Sequence, residues 1–465
     1  MATIINTKLG ESKGQSRIWL EGVRLERGGF APSTRYELVI GERQVTIKAA
    51  SQGTYTVSKR MRNGKLSPII DLSNQRLTQA FEGVEMLRVL IRNGSIVISA
   101  HFQQGKVEQR EQRLLDRLNA ELPLTTCSLY HGGGVLDKAL HAGFVKTGIA
   151  STIAVAVEQE GAYIDNSLMN NPELWTDSSL VINAPIETLS YCGPAEAVDI
   201  VIAGIPCTGA SKAGKAKNKL EFAESHDAAG SMFFYVLQIV QKLNPSMVIL
   251  ECVPDFKKTA SMAVIRTVLS SLNYSVTEQV LDGSEFGAFE KRKRLCVVAL
   301  SSGLPQFDFT NVVSLRTKEA CLGEILEHIT DDSPRWKTFD YLADKEIRDI
   351  EAGKGFRRQL LDARATTCGV VTKDYAKCRS TDPFYQHPTM PHLSRLFTPV
   401  EHAKVKAIPL EVIAGLSDTV AHQILGQSVI YPLFVALGIA IGNLLNDFGE
   451  SLGRTSSIAC QLATS

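Results

Sequence analysis

The sequence predicts an α/β protein in which a doubly wound, Rossmann-like sheet carries an inserted domain and follows a small β-rich segment. Three observations predict it. From Thr125 onward, short apolar strands alternate with amphipathic helices, the order that builds a mostly parallel sheet with helices on both faces. A glycine cluster, Gly132-Gly133-Gly134, follows the first of these strands and an acidic residue, Glu158, ends the second, as at a nucleoside-binding crevice. The alternation stops from about 301 to 394 and resumes over 395–449, so an insertion interrupts the sheet-forming chain. A chain of 465 residues has room for about three domains. Its 44% apolar and 21% charged content excludes extended disorder.

Residues 1–105 read as a β-rich domain with strands over Tyr36–Ile40, Val45–Ala49, Thr54–Ser58 and Leu87–Ile91. Two Arg-Asn-Gly tripeptides, ending at Gly64 and Gly94, predict type I′ hairpins, because Asn and Gly both accept positive φ. A charged helical stretch within 106–123 stops at Pro123 and reads as a linker. Over 124–300 the expected strands are Thr125–Tyr130, Ile153–Val157, Ile200–Ala203, Met247–Leu250, Ser275–Val280 and Leu295–Leu300. Helices are expected over Met232–Val240 and Met262–Leu269, and another from the glycine cluster to an end near His141-Ala142-Gly143. Residues 301–394 have no periodicity. In 395–449, Thr398-Pro399 and Tyr431-Pro432 each start a helix, and 450–465 is a tail.

Whole-chain charge is nearly balanced, but residues 1–120 hold 19 Lys+Arg against 11 Asp+Glu, leaving 31 against 38 for the remainder. A basic front joined to an acidic body points to nucleic-acid contact. Nine scattered cysteines with no CxxC, and no signal-like N-terminus, point to reduced thiols in a cytoplasmic protein. The apolar run around Leu433–Leu445 reads as a buried helix, and no membrane partner is expected. Cys368, Cys378, His387 and His392 lie in one stretch but lack the close pair of a zinc clamp, so no metal is expected.

Chemistry is expected at the carboxyl ends of the strands. Tyr130-His131-Gly132-Gly133-Gly134 lets backbone and a helix N-terminus approach a ligand, and Glu158 is placed to accept two ribose hydroxyls. Pro206-Cys207 presents a thiol on a Gly/Pro loop, where Lys212 and Lys215 favour the thiolate. Glu251, one strand later, is an acid at a strand terminus, and Arg292 and Arg294 alternate into the last buried strand. The bland readings are a tight turn, an inert buried cysteine, a surface carboxylate and a solvated cationic face.

In this order the motifs resemble the cytosine-C5 DNA methyltransferase family over about residues 124–449. Tyr130, Gly132 and Gly134 match its S-adenosylmethionine motif, Pro206-Cys207 its nucleophile loop, Glu251-Cys252-Val253 its glutamate-asparagine-valine motif, and Glu290-x-Arg292-x-Arg294 its glutamine-x-arginine-x-arginine motif. Arg395-Leu396-Phe397-Thr398-Pro399-x-Glu401 and Gly426-Gln427-Ser428-Val429 resemble the ninth and tenth motifs. The resemblance implies Cys207, Glu251, Arg292 and Arg294 as catalytic residues. It implies S-adenosyl-L-methionine bound by Tyr130, Gly132, Gly134, Glu158, Pro206, Ser428 and Val429. Double-stranded DNA would be the partner, its target cytosine flipped out and its sequence read from 301–394. Val135, Thr208, Cys252 and Glu290 depart from the family's pattern, and Asn183-Ala184-Pro185 lacks its usual adenine-binding acid. An RNA cytosine methyltransferase and a catalytically idle DNA-binding regulator are the alternatives on this fold.

Arg17-Ile18-Trp19-Leu20-Glu21-Gly22 with Arg27-Gly28-Gly29-Phe30 resembles a SymE-type domain, a relative of the AbrB swapped-hairpin fold. That likeness implies a DNA-binding segment and allows a homodimer through it. The alternative is a β-appendage that shields the body.

Overall fold

The computed structural model describes residues 2–62, 64–189, 196–206, 224 and 230–451. Cys207, Thr208, Ser211, Lys212 and Lys215 therefore lie outside the described residues, as does most of the 450–465 tail. The chain divides into two compact units, Met1–Gln109 and Arg110–Ser465.

The first unit contains two antiparallel sheets. One orders its strands Thr3–Lys8, Met86–Arg92, Ser95–Ala100, Gln44–Ala49, Arg35–Gly41 and Tyr55–Thr56; the other orders Gly10–Ser12, Gln15–Glu21, Lys65–Ser73 and Ser58–Arg62. Alternation gives the inner strands a buried row, so Ile18, Leu20, Val45, Ile47, Val89, Ile96 and Leu72 share one core with Phe30. The strands on either side of both Arg-Asn-Gly tripeptides pair, and Asn63 itself lies outside the described residues. At the second, only Gly94 takes positive φ (70°), so that turn is not the type I′ form expected. The strand expected over Thr54–Ser58 is split, because Tyr55–Thr56 pairs in the first sheet and Ser58–Arg62 in the second.

The second unit is built on seven strands in the order Leu180–Ile182, Ser151–Val157, Leu124–Leu129, Ile200–Gly204, Met247–Cys252, Lys293–Ser301, Tyr274–Asp282. Pairing is parallel up to Met247–Cys252, and Lys293–Ser301 runs antiparallel to both of its neighbours. The apolar runs arise because both faces are covered. Ile200, Ile202, Met247 and Ile249 pack on one side with Val135–Val145 and Tyr431–Ser451; Val201, Ala203, Val248 and Leu250 pack on the other with Met232–Leu243 and Ala260–Ser271.

The first helix ends near Gly143, as the sequence leads one to expect. The helix continues to Val145, and a Cβ at Gly143 would stand 2.3 Å from the Val435 carbonyl oxygen. A Cβ at Gly438, opposite, would stand 2.6 Å from the Leu140 carbonyl. Glycines here allow two helix backbones to touch. Tyr431–Ser451 is long and apolar enough to cross a membrane, but over half of its apolar window is buried inside the protein.

The stretch expected as a linker is divided. The helix spans Phe102–Asn119, and from Arg110 onward it belongs to the second unit. Arg110 donates to Ser301 Oγ at 2.8 Å and to the Asn273 carbonyl at 2.7 Å. Arg113 and Arg117 contact the two oxygens of fully buried Asp199 at 3.1 and 3.0 Å, and Asp199 also accepts from the Thr125 backbone N–H at 2.8 Å. Asp199→Asn should destabilise the full chain by about 3 kcal/mol in denaturant unfolding, since two arginines then lose their counter-charge. A loss below about 1 kcal/mol would mean that this end of the helix is only loosely attached.

Within 301–394, Leu304, Phe307, Phe309 and Val312 still pack into the main core. A separate small core begins beyond them, with Leu322, Ile325, Val371, Tyr375, Phe397 and Val405 around Phe289. It supports the sheet Gln359–Leu361, Pro383–Gln386, Ser394–Arg395 and the helix Asp340–Glu351. Buried Arg395 grips Glu401 with two bonds of 2.6 and 2.7 Å, and the rings of Trp336 and Tyr385 lie 5.2 and 5.1 Å from its guanidinium. Glu401 also completes a capping box with Thr398, starting Pro399–Val405.

His402 and His422 pack beside Tyr375 with Nδ1 atoms 2.9 Å apart. Burial holds both imidazoles toward neutrality. It takes His422 from 6.5 down to about 4, with Asp418 opposing and Arg335 assisting. Between those values the unfolded chain binds a proton at this position and the folded chain does not. Stability should therefore fall as pH drops from about 6.5 to about 4, by up to about 3 kcal/mol from His422. Denaturant titrations of wild type and His422→Gln across that window test this, and parallel curves would refute it.

Candidate active site

Strand order reverses between Leu124–Leu129 and Ile200–Gly204, so the connections leave those carboxyl ends in opposite directions and open a crevice. The first wall is the glycine turn. Tyr130, Gly132 and Gly134 take positive φ of 57°, 58° and 76°, and Val135–Val145 starts at once. Cβ atoms at Gly133 and Gly134 would strike Ile424 and Ser167, whereas one at Gly132 would meet nothing closer than Gln427 Nε2 at 3.6 Å. The turn is thus packed from behind and open at Gly132.

Below the turn, His131 lies between Ser167 Oγ (2.8 Å) and Ser128 Oγ (2.9 Å), and Ser128 donates to Asp137 at 2.8 Å. All four residues are buried, so this is an internal brace of the turn. Sequence reasoning reads His131 only as a motif position.

Glu158 stands at the end of Ser151–Val157. Its carboxylate accepts from Gly132 N–H at 2.7 Å and from Glu160 N–H at 2.9 Å, which leaves a lone pair on each oxygen for a diol. Asn183, where an acid was expected, donates to the Glu158 carbonyl at 2.9 Å. Tyr130 donates to the Met232 carbonyl at 2.9 Å. Ser428 Oγ donates to the Ile424 carbonyl at 2.6 Å and Val429 is in the core, so both secure the end of Asp418–Gln427.

The second wall carries the charges. Pro206 is the last described residue before the expected nucleophile, and Ile205 N–H donates to the Glu251 carbonyl at 3.0 Å. Cys252, in the asparagine position, places its sulfur 3.5 Å from the Ile205 carbonyl, a second tie from strand to loop. Glu251 Oε1 meets Arg294 Nε at 2.6 Å. Because Lys293–Ser301 runs antiparallel, it begins where Met247–Cys252 ends, and Arg292 and Arg294 arrive beside Glu251.

Arg292 is buried, donating to Glu290 Oε1 at 3.2 Å and to the Gly426 carbonyl at 3.3 Å. The other oxygen of Glu290 lies 2.7 Å from Lys406 Nζ, and neither atom has another hydrogen-bond partner. Glu290 and Lys406 are both fully buried. Burial draws the Lys406 ammonium down to about 7, Arg292 adds to this, and Glu290 opposes both. Sequence reasoning misses Lys406. The signal is Glu290 itself, since a carboxylate replacing an amide in a buried stretch requires a counter-charge.

Among the described cysteines, burial pushes the Cys127 thiol up to about 12 and also raises those of Cys296 and Cys368, so these three are inert as nucleophiles. No group of three or more potential metal ligands is gathered among the described residues.

A mixed sheet with a glycine turn, a strand-end carboxylate bonded to that turn and a strand-end Glu–Arg pair accords with the methyltransferase fold class. The chain belongs to the C-5 cytosine-specific DNA methylase family, whose profile matches residues 140–443. It is 27% identical over 257 residues to the Type II methyltransferase M.SsoII of Shigella sonnei, covering 53% of this chain and 65% of that protein. It is 28% identical over 250 residues to M1.ScrFI of Lactococcus lactis subsp. cremoris, covering 51% and 61%. The match thus spans under two thirds of the length of these two relatives. S. pombe Dnmt2 methyltransferase shares the fold with a TM-score of 0.55 and 18% identity, over 70% of this chain and 99% of that one.

Lys406→Met should destabilise the protein by about 3–5 kcal/mol, because Glu290 is left buried without its ammonium partner. Adding Glu290→Gln should recover most of that loss in a double-mutant cycle. Additive losses would show that the two charges do not depend on each other.

Proposed function

We propose that the protein is a DNA (cytosine-5-)-methyltransferase of the Type II kind, acting in the cytoplasm on double-stranded DNA in restriction-modification. The observation that carries this reading is the Glu251–Arg294 contact of 2.6 Å on a strand end tied to the loop that leads into Pro206-Cys207. S-adenosyl-L-methionine, when bound, supplies an electrophilic methyl group. The residues present fit it: the turn is open at Gly132, and Glu158 keeps acceptor capacity for ribose hydroxyls.

The chain's own residues account for the rest. Cytosine C5 is a weak nucleophile, so the Cys207 thiolate attacks C6 and converts the ring into an enamine. Glu251 protonates N3, which lowers the cost of that attack. Arg294 donates to the base O2 and fixes Glu251, while Arg292 holds the start of the strand against Glu290 and Gly426 and so fixes Arg294. After C5 has received the methyl group, loss of its proton expels the thiolate. The base must leave the duplex stack to reach these groups, at a cost of a few kcal/mol. Residues of 301–394 read the sequence from the grooves.

Duplex DNA carrying 5-fluorocytosine at the target should trap a covalent adduct with wild-type protein and S-adenosylmethionine, because fluorine does not leave as a proton does. Cys207→Ser should give neither adduct nor methyl transfer while still binding DNA, and Glu251→Gln should slow single-turnover transfer about tenfold or more. Methylation by the Cys207→Ser protein would refute the assignment.

A further inference from the structure

The β-rich unit carries a feature that the methylation chemistry does not use. In its second sheet, Gln15–Glu21 pairs with Lys65–Ser73 only over Ile69–Ser73, so beyond Pro68 the hairpin continues as a bare two-stranded ribbon. Both faces of its tip are exposed: Met61 and Leu66, directly opposed on one side, are 66% and 51% exposed. Alternation sends Arg60, Arg62 and Lys65 to the other side, which also bears Arg17 and Trp19 of the neighbouring strand.

The charge on this ribbon and its neighbouring strand is lopsided. Arg17, Lys59, Arg60, Arg62 and Lys65 face two carboxylates, Glu21 and Asp71. Asp71 is taken by Arg17 at 2.8 Å; Glu21 is taken by Arg60 at 2.7 Å and reached by Arg62 at 3.8 Å. Arg62 and Lys65 are directly opposed cross-strand partners. Like charges in that position weaken a ribbon, and no core packing at the tip compensates. Trp19, 38% exposed, has the guanidiniums of Arg17 and Arg60 at 4.6 and 5.9 Å from its ring. A cationic ribbon with a flat aromatic at its base matches a polyanion that offers both phosphates and stackable or groove surface.

We propose that the Ser58–Ser73 hairpin is a second duplex-DNA contact, holding phosphates through Arg60, Arg62 and Lys65 and adding affinity that does not depend on sequence. The duplex is favoured because a two-stranded ribbon fits its major groove, where the cations of the tip meet the flanking phosphates. The inference builds on the reading of DNA as substrate, and its failure separates from failure of that reading.

The test uses the full chain and the double variant Arg62→Ala/Lys65→Ala, whose side chains are exposed. Binding to a duplex several helical turns long is measured at a series of salt concentrations, with and without the target sequence. The slope of log affinity against log salt should fall in magnitude by about 0.9 for each phosphate the variant no longer neutralises, equally on both duplexes. Single-turnover methylation at saturating DNA should be unchanged. A Lys8→Ala/Lys13→Ala variant, with the same charge removed elsewhere in the unit, should keep the wild-type slope. An unchanged slope in the ribbon variant, an equal fall in the control, or a loss confined to single-stranded RNA or to anionic lipid vesicles would each overturn the proposal. Absence of methylation by wild type would instead count against the catalytic reading, and the slopes would still report on the ribbon.

Discussion

The buried contact between Glu290 and Lys406 is the constraint on which the charged wall of the crevice depends. Two charges with no exposure are costly to desolvate, and the geometry recovers that cost only if both partners and Arg292 stay in place. Glu290 and Arg292 lead into the antiparallel strand, Lys406 comes from a distant part of the chain, and Arg292 extends the link to the Gly426 carbonyl. Backbone contacts reinforce it: Phe289 and Glu290 N–H groups both donate to Val405, and Cys368 N–H donates to Phe289. The start of the antiparallel strand is thus fixed between the small core and the final helices. Arg294, two residues on, inherits that position, and through it so does Glu251.

The opposite wall is set by close approach instead of charge. Gly143 and Gly438 let the last helix lie against the first helix of the body, and Gly442 does the same against Thr147. That seating carries Asp418–Gln427 up to the glycine turn, where Gly133 leaves room for Ile424. A methyl group at any of these positions would push a helix outward by a sizeable part of a van der Waals radius, and the turn would lose its backing. The two walls meet at Gly426, whose carbonyl takes Arg292 and whose missing side chain admits the Thr372 backbone.

Legibility in the sequence follows burial geometry. The body strands are readable because strands covered on both faces are continuous apolar runs, and strand ends then indicate where Gly132, Glu158, Glu251 and Arg294 gather. Thr3–Lys8 and Gly10–Ser12 are not, being short, polar edge strands of half-exposed residues. The order within 301–394 rests on Tyr375, Trp336 and Arg395 packing across long separations, which leaves no local period. Gly143 marks the neighbourhood of a helix end correctly, but its use as a contact shows only once the partner helix is in place. Lys406 is invisible for a related reason: a single lysine at a helix end reads as solvated until the carboxylate opposite it is known.

Two departures from the family pattern become intelligible in this light. An amide at position 290 would need no cation, whereas the carboxylate there has one in Lys406 at 2.7 Å. Cys252 keeps a donor aimed at the Ile205 carbonyl in a space with little room for a larger side chain, being only 3% exposed. In both cases the replacement preserves what the position does for its neighbours: it holds Arg292 in the first and the base of the nucleophile loop in the second. Departures of this kind bear on how the strand ends are braced, at Arg292 in one case and at Ile205 in the other. The carboxylate at 290 is matched inside the protein by Lys406 and Arg292, and removal of either cation would leave a buried charge short of its counter-charge.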